Sequence, residues 1–243
     1  MRIIGRFLSL IKALLLLLKR KSWGPFIEIA KITKFDHAIS VSWSQGGEDL
    51  ALLDLLPLNG RYLDIGAHHP SRFSVTRHLY QRGWDGVNVE ANSKLLKEFY
   101  SKRKRDINIW AAAGTKSWYQ LNVFKEPAYS SVNLAFTNRM SSGGNEIIGT
   151  ERVPGIRLST IIEKYFKDSK LNLLSIDAEG SDLSVLQSLG FKKLTRENYP
   201  DWILLESTPP VSKALATRSV KYAIDFGYTP FLILTRATLL KKL

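Results

Sequence analysis

From Ser44 onward, short apolar runs alternate with stretches of helical spacing. Glu48–Leu56 carries a helical pattern that stops at Pro57, and Asn59-Gly60 makes a turn. Arg61–Gly66 (R-Y-L-D-I-G) reads as a short buried strand, followed by a helix over Ser71–Arg82 with Phe73, Val75, Leu79 and Tyr80 available for packing. Gly86–Glu90 predicts a second strand, Ser93–Lys102 a second helix, and Ile107–Ala113 a third strand. Ser117–Phe124 alternates and reads as an added strand or hairpin. Tyr129–Gly149, rich in Ser, Asn and Gly, reads as a long loop, and so as a lid. The remainder predicts a helix at Leu158–Phe166, a strand at Leu171–Asp177 and a helix at Ser181–Leu189. A strand at Trp202–Glu206, a helix at Lys213–Asp225 and a last strand at Phe231–Leu234 complete the pattern.

Strands alternating with helices of about ten residues imply an α/β fold with a doubly wound, mostly parallel sheet. Ligands of such sheets sit outside the carboxyl ends of the strands, near the switch in strand order. Those ends are Asp64–Gly66, Glu90, Asp177–Gly180 and Glu206, and every one carries an acid.

Ahead of this pattern lies a different segment, so the expected organisation is a helical extension over 1–40 and a domain over 41–243. Phe7–Leu18 is apolar apart from Lys12, with Arg2 and Arg6 before it and Lys19-Arg20-Lys21 after. Twelve helical residues reach about 18 Å, short of a hydrocarbon core of about 30 Å. Basic residues follow the run where a secretory signal would offer small ones, so neither a membrane span nor a cleaved signal is expected. Two readings stand: a helix buried against the domain or a second subunit, and an interfacial helix on an anionic membrane.

Composition narrows the chemistry. Of 243 residues 44% are hydrophobic and 23% charged, as in an ordinary folded domain. The absence of cysteine excludes disulfides, zinc-thiolate and iron–sulfur sites, and cysteine nucleophiles. Net charge is +13, and residues 1–34 contribute eight basic groups against the single acid Glu28. That concentration favours peripheral docking of residues 1–34 on an anionic surface over a nucleic-acid groove. The expected location is cytoplasmic, with contact at the inner face of the membrane.

A dinucleotide site needs G-x-G-x-x-G after the first strand. Here stands D-I-G-A-H-H-P, with one glycine and an acid in front. A carboxylate there suits an amino group and a sulfonium charge better than a phosphate, and Gly66 lets backbone approach a ligand closely. Glu90, 24 residues past Gly66, holds the place of an acid that accepts from ribose hydroxyls. Together they suggest an adenosine ligand without phosphates: S-adenosylmethionine. Taken singly, Asp64 also reads as a helix-capping acid and Glu90 as a solvated strand end.

These segments resemble the FkbM family of methyltransferases. The likeness is carried by S-Q-G-G-E-D (Ser44–Asp49), D-I-G-A-H-H-P (Asp64–Pro70), F-S-V-T (Phe73–Thr76) and G-W-D-G-V-N-V-E-A-N (Gly83–Asn92). R-D-I-N-I (Arg105–Ile109) and S-I-D-A-E-G-S-D-L (Ser175–Leu183) complete it. The resemblance implies a Class I, Rossmann-like fold, S-adenosylmethionine as cofactor, and methylation of hydroxyls, often on sugars, glycans or related natural products. It implies that Asp64, Gly66 and Ala67 line the methionine end of the cofactor, with Gln45 in the same cofactor-binding set. Glu90 and Asn92 would hold the ribose, and Asp106 would lie near the adenine. The chain departs from the family at His68, where Asn is common. It also ends soon after Phe231–Leu234, so the final antiparallel strands are expected to be incomplete.

A hydroxyl needs help in losing its proton. His68 and His69 follow the first strand, and each reads either as a base or as a turn-shaping residue. Asp177 and Glu179 offer a second route, as a direct base or substrate-orienting pair. With Glu206 or Asp182 they could hold Mg2+ or Ca2+, the less favoured reading. A purely structural role is also open, Asp177 ordering the loop and Glu179 capping the next helix. The expected catalytic set is His68, Asp177 and Glu179. Two other functions compete: an RNA methyltransferase, suggested by the charge and by Lys102–Arg105, and a non-catalytic cofactor-binding or membrane-docking protein. Against the first, D-A-E-G stands where amino-methylating enzymes carry N-P-P-Y or D-P-P-Y.

Overall fold

Strand residues that are apolar on both faces place a sheet between two layers of helices. The computed structural model, which describes residues 40–207 and 210–243, has this arrangement. Its elements are α1 (Glu48–Leu55), β1 (Arg61–Ile65), α2 (Arg77–Arg82), β2 (Asp85–Glu90), α3 (Ser93–Lys102), β3 (Ile107–Trp110), β4 (Ala112–Ala113) and β5 (Trp118–Phe124). There follow α4 (Leu134–Ser142), β6 (Ile147–Ile156), α5 (Leu158–Tyr165), β7 (Leu173–Ile176), α6 (Asp182–Gln187) and β8 (Trp202–Glu206). The chain closes with α7 (Val211–Ala216), α8 (Arg218–Asp225), β9 (Tyr228–Ile233) and β10 (Ala237–Lys242).

Seven strands form the large sheet in the order β3-β2-β1-β7-β8-β10-β9. All run parallel except β10, which is antiparallel to both its neighbours. The order reverses between β1 and β7, which pair from Tyr62↔Leu173 to Ile65↔Ile176. Alternate residues serve opposite layers. Leu63, Val87, Leu174, Ile176 and Ile203 pack with Leu158 and Ile161 of α5, Val185 of α6 and Val220 of α8. Tyr62, Leu173, Trp202 and Leu204 face Leu52 of α1, Leu79 of α2 and the fully buried Trp84.

The structure corrects five expectations. Helix α2 begins only at Arg77; residues 71–76 are irregular, with Phe73 at φ 58°. Their polar groups find partners outside a helix: Ser74 N–H donates to the Trp43 carbonyl at 3.0 Å, and the Thr76 hydroxyl donates to Asp64 at 2.9 Å. The third strand breaks at Ala111, and Ala112–Ala113 pair instead with β6 in a small sheet ordered β4-β6-β5. The stretch expected as a loop holds α4 and the start of β6. Its polar residues cap rather than loosen it, for the Asn133 side chain accepts the Phe136 N–H at 3.0 Å. The sheet is also not cut short. β10, invisible as a separate element because Ala237–Lys242 follows Ile233 so closely, completes it. The helix expected over Lys213–Asp225 divides at Thr217 into α7 and α8.

Among the described residues no helix is long and apolar enough to cross a membrane. The expected extension and its membrane contact lie outside the described residues, as do Thr208 and Pro209.

Candidate active site

A cleft of about 1090 Å³, counting the solvent at its mouth, opens at the carboxyl ends of β1, β2, β7 and β8. Its floor is the switch point, where backbone is closest. Gly66 ends β1 at φ 73°, and a Cβ there would lie 1.8 Å from the Asp177 carbonyl oxygen. A glycine at this point is what lets the β1 and β7 loops meet. Gly66 N–H donates to the Val89 carbonyl at 3.0 Å and Asp177 N–H to the Ile65 carbonyl at 3.0 Å, so the loops continue the ladder beyond the strands.

One side of the cleft is built around Glu90. Its carboxylate accepts the His68 N–H at 2.8 Å and the Asn92 N–H at 2.7 Å. Burial pushes its pKa up to about 7, opposed by the backbone donors of Asn92, His68 and Ala91. The oxygens retain lone pairs, and Glu90 lines the cleft, so hydroxyl donors of a ribose fit there. Beside it Ala111, Ala112 and Ala113 form a wall of small side chains with Leu121, a slot that suits a flat apolar base.

The other side is acidic. Carboxylate oxygens of Asp177, Glu179 and Glu206 lie within 4.8 Å of one another. None of the three takes a hydrogen bond from a described residue. Solvent in the cleft reaches Asp177 although protein atoms ring it closely. That enclosure raises its pKa well above the usual range, and Glu206, Glu179 and Asp182 add repulsion. Glu179 is pushed up to about 8, by burial first and then by Glu206 and Asp182, against the pull of Arg236 and Arg139. Glu206 is raised for the same reasons, burial before the charge of Asp182. Glu179 sits at φ 46°, a strained backbone for a non-glycine residue. The Ser131 hydroxyl holds it by donating to its carbonyl at 2.9 Å.

Of the expected site residues, Gln45, Gly66, His68, Glu90, Asp177 and Glu179 line the cleft. Four do not. Asp64 is buried beside Ser175 without lining the cleft, and accepts from Thr76 and Ser175. Ala67 turns away to pack with Leu96 and Phe99. Asn92 caps α3 through the Lys94 N–H at 3.0 Å and serves the site only through its backbone bond to Glu90. Asp106 is furthest from its expected place. It precedes β3 and so stands at the amino edge of the sheet, bonded to Tyr62, Gly86 N–H and Asn88. The alanine-lined slot lies at the other end of that strand.

The two histidines separate as well. His69 Nδ1 accepts the Ser71 and Arg72 N–H groups at 3.0 and 2.8 Å, which makes it a turn-shaping residue. His68 lines the cleft, stacks on Phe73 with centroids 5.7 Å apart, and lies 3.4 Å from an Arg72 nitrogen. Burial first, then Arg72, holds its pKa down at about 4. A base that weak removes a hydroxyl proton poorly. Glu48, Phe73 and Arg236 also line the cleft, unforeseen from the sequence. Glu48 lies inside S-Q-G-G-E-D, where its position is a usable signal; Arg236 immediately precedes β10.

The methyltransferase FkbM domain model matches residues 64–215, well over half of the chain. The chain belongs to the FkbM methyltransferase family. It is therefore an S-adenosylmethionine-dependent methyltransferase, and the cleft described above fits that cofactor. No curated protein matched this FkbM methyltransferase. Among solved structures it is similar to a TehB-like SAM-dependent methyltransferase from Corynebacterium glutamicum, at 10% identity and TM-score 0.43 over 88% of this chain and 96% of that one. A precorrin-6y C5,15-methyltransferase from Geobacter metallireducens aligns at 13% identity and TM-score 0.42, covering 81% and 86%. A putative RNA methyltransferase from Pyrococcus horikoshii aligns at 9% and 0.42, covering 81% of each chain. Likenesses of this degree carry no argument about the acceptor.

Proposed function

We propose that this FkbM methyltransferase methylates a hydroxyl group on a sugar, glycan or related natural product, with the Asp177–Glu179–Glu206 cluster taking the hydroxyl proton. One observation carries the reading: three carboxylates without hydrogen-bond partners among the described residues face the cleft across from Glu90. The bound cofactor supplies an electrophilic methyl on a sulfonium. Glu90 and Gly66 hold the cofactor end, and the acid cluster orients the acceptor oxygen on the line of attack. A carboxylate of the cluster would take the hydroxyl proton as that methyl group is transferred to the acceptor oxygen. A carboxylate raised to about 8 is a stronger base than an ordinary one in its ionised form, so transfer should speed up as pH rises towards about 8.

The same cluster is a set of hard oxygen ligands that suits Mg2+ or Ca2+. We favour direct acid–base work, because Arg236 and Arg139 already set positive charge against these acids. Nor does the Lys102–Arg105 run support an RNA substrate. Arg103 is fully buried, Lys102 is paired with Glu98, and Arg105 lies over the Tyr80 ring and donates to the Tyr80 carbonyl.

The test is transfer of an isotope-labelled methyl group from S-adenosylmethionine to a pool of glycans and glycolipids, with and without EDTA. Labelled methyl ethers on sugar hydroxyls, formed equally in EDTA, are the expected outcome. Label confined to nucleic acid or to nitrogen would overturn the acceptor, and loss of transfer in EDTA would overturn the direct base.

A further inference from the structure

Arg103, at the carboxyl end of α3, has no solvent exposure at all (0%). Its nearest acid, Asp106, is 3.6 Å away and shared with Tyr62 and Asn88. Apart from one bond to Tyr62, the rest of the guanidinium is directed at one segment. Nε donates to the Pro70 carbonyl at 3.2 Å. Nη2 donates to the Ser74 hydroxyl at 2.8 Å and to the Thr76 hydroxyl at 3.4 Å, and Nη1 to the Thr76 carbonyl at 3.4 Å and the Tyr62 hydroxyl at 3.0 Å. Between the first and last of these anchors lies Phe73 at φ 58°. A bulky residue holds that conformation only where its surroundings over-determine it.

Segment 68–76 supplies His68, Phe73 and Val75 to the cleft wall. It also reaches the cofactor side twice more: the His68 N–H donates to Glu90, and the Thr76 hydroxyl donates to Asp64 just ahead of Gly66. Helix α3 therefore grips the cofactor side from both of its ends, through the Asn92 N–H on Glu90 at one and through Arg103 at the other.

We propose that Arg103 is a positioning residue for the transfer reaction: its buried fork fixes segment 68–76 so that the cofactor half of the cleft is preformed. This rests on the methyltransferase reading of the cleft. Lysine keeps the charge but is a single point donor and cannot span Pro70, Ser74 and Thr76 together.

The experiment measures steady-state kinetics and melting temperature for the full chain and for Arg103→Lys, Thr76→Val and Leu189→Ala. Leu189 is buried in the helix layer away from the segment, so its variant reports simple loss of stability. Arg103→Lys is expected to raise KM for S-adenosylmethionine about tenfold with kcat changed less than about twofold. Thr76→Val, the milder change and the fallback if Arg103→Lys does not fold, should raise KM about threefold. Leu189→Ala should melt earlier with KM unchanged. If the variants melt earlier with KM for the cofactor unmoved, or if kcat alone falls, Arg103 only supports the fold and the proposal is wrong. If the unaltered protein itself transfers no methyl group, the failure lies in the methyltransferase reading instead.

Discussion

Glu179 is where sequence, strain and electrostatics meet in a single residue. Its pKa, about 8 against an ordinary 4.5, means that the folded protein keeps a proton the unfolded chain releases. Between those pH values unfolding therefore gives up a proton, and stability must fall as pH rises from about 4.5 to about 8. Glu90, raised to about 7, adds the same sign over a narrower window. Glu179→Gln should flatten the upper part of that slope, between about 7 and 8. Melting temperatures of both proteins across that range check it, and parallel curves would show that Glu179 does not titrate there. Residue by residue, the sequence was a good guide to acids and a poor one to their directions. Glu90, Asp177 and Glu179 were legible because the end of a parallel strand faces the cleft. Asp64 and Asp106 lie off the cleft wall because their carboxylates are taken by buried partners, Thr76 for the one and Tyr62, Gly86 N–H and Asn88 for the other. The two adjacent histidines could be told apart only by the turn that His69 closes with its own backbone neighbours.

At the scale of elements, the meeting of the β1 and β7 loops over Gly66 is the most demanding feature of the site. Gly66→Ala adds a methyl group 1.8 Å from the Asp177 carbonyl at a φ of 73°. It should cost at least about 2 kcal/mol of stability and also displace Asp177. Gly83→Ala, at another positive φ but with open space around its Cβ, should cost less and spare activity. Urea unfolding with activity assays compares them; equal losses would mean that the close approach is unimportant. Elements whose own residues set their period were readable in advance: β1, β2, α3 and β8 fell at or within one residue of expectation. The misjudged ones depend on distant partners. Residues 71–76 stay irregular because Arg103, 27 or more residues onward, takes their polar groups. The stretch around Asn133 looked like a loop because its capping residues have loop-like chemistry.

For the whole molecule, the fold class followed from alternation alone, since a switch-point cleft is a consequence of double winding. Charge is the other whole-molecule property. Residues 1–34 carry eight of the 35 basic side chains, and we propose that they dock the enzyme on anionic membrane, near lipid-linked acceptors. The full chain should co-float with anionic liposomes and lose that ability when residues 1–34 are removed; flotation of both alike would end the idea. The central claim is a division of labour in the cleft, Glu90 holding the cofactor and the acid cluster serving the acceptor. Titration calorimetry of S-adenosylmethionine, paired with turnover, tests it most directly. Glu90→Ala should weaken cofactor binding by about tenfold or more, whereas Glu179→Gln should bind within about threefold of the unaltered protein and turn over at least about a hundredfold more slowly. Cofactor binding lost in Glu179→Gln and kept in Glu90→Ala would contradict it.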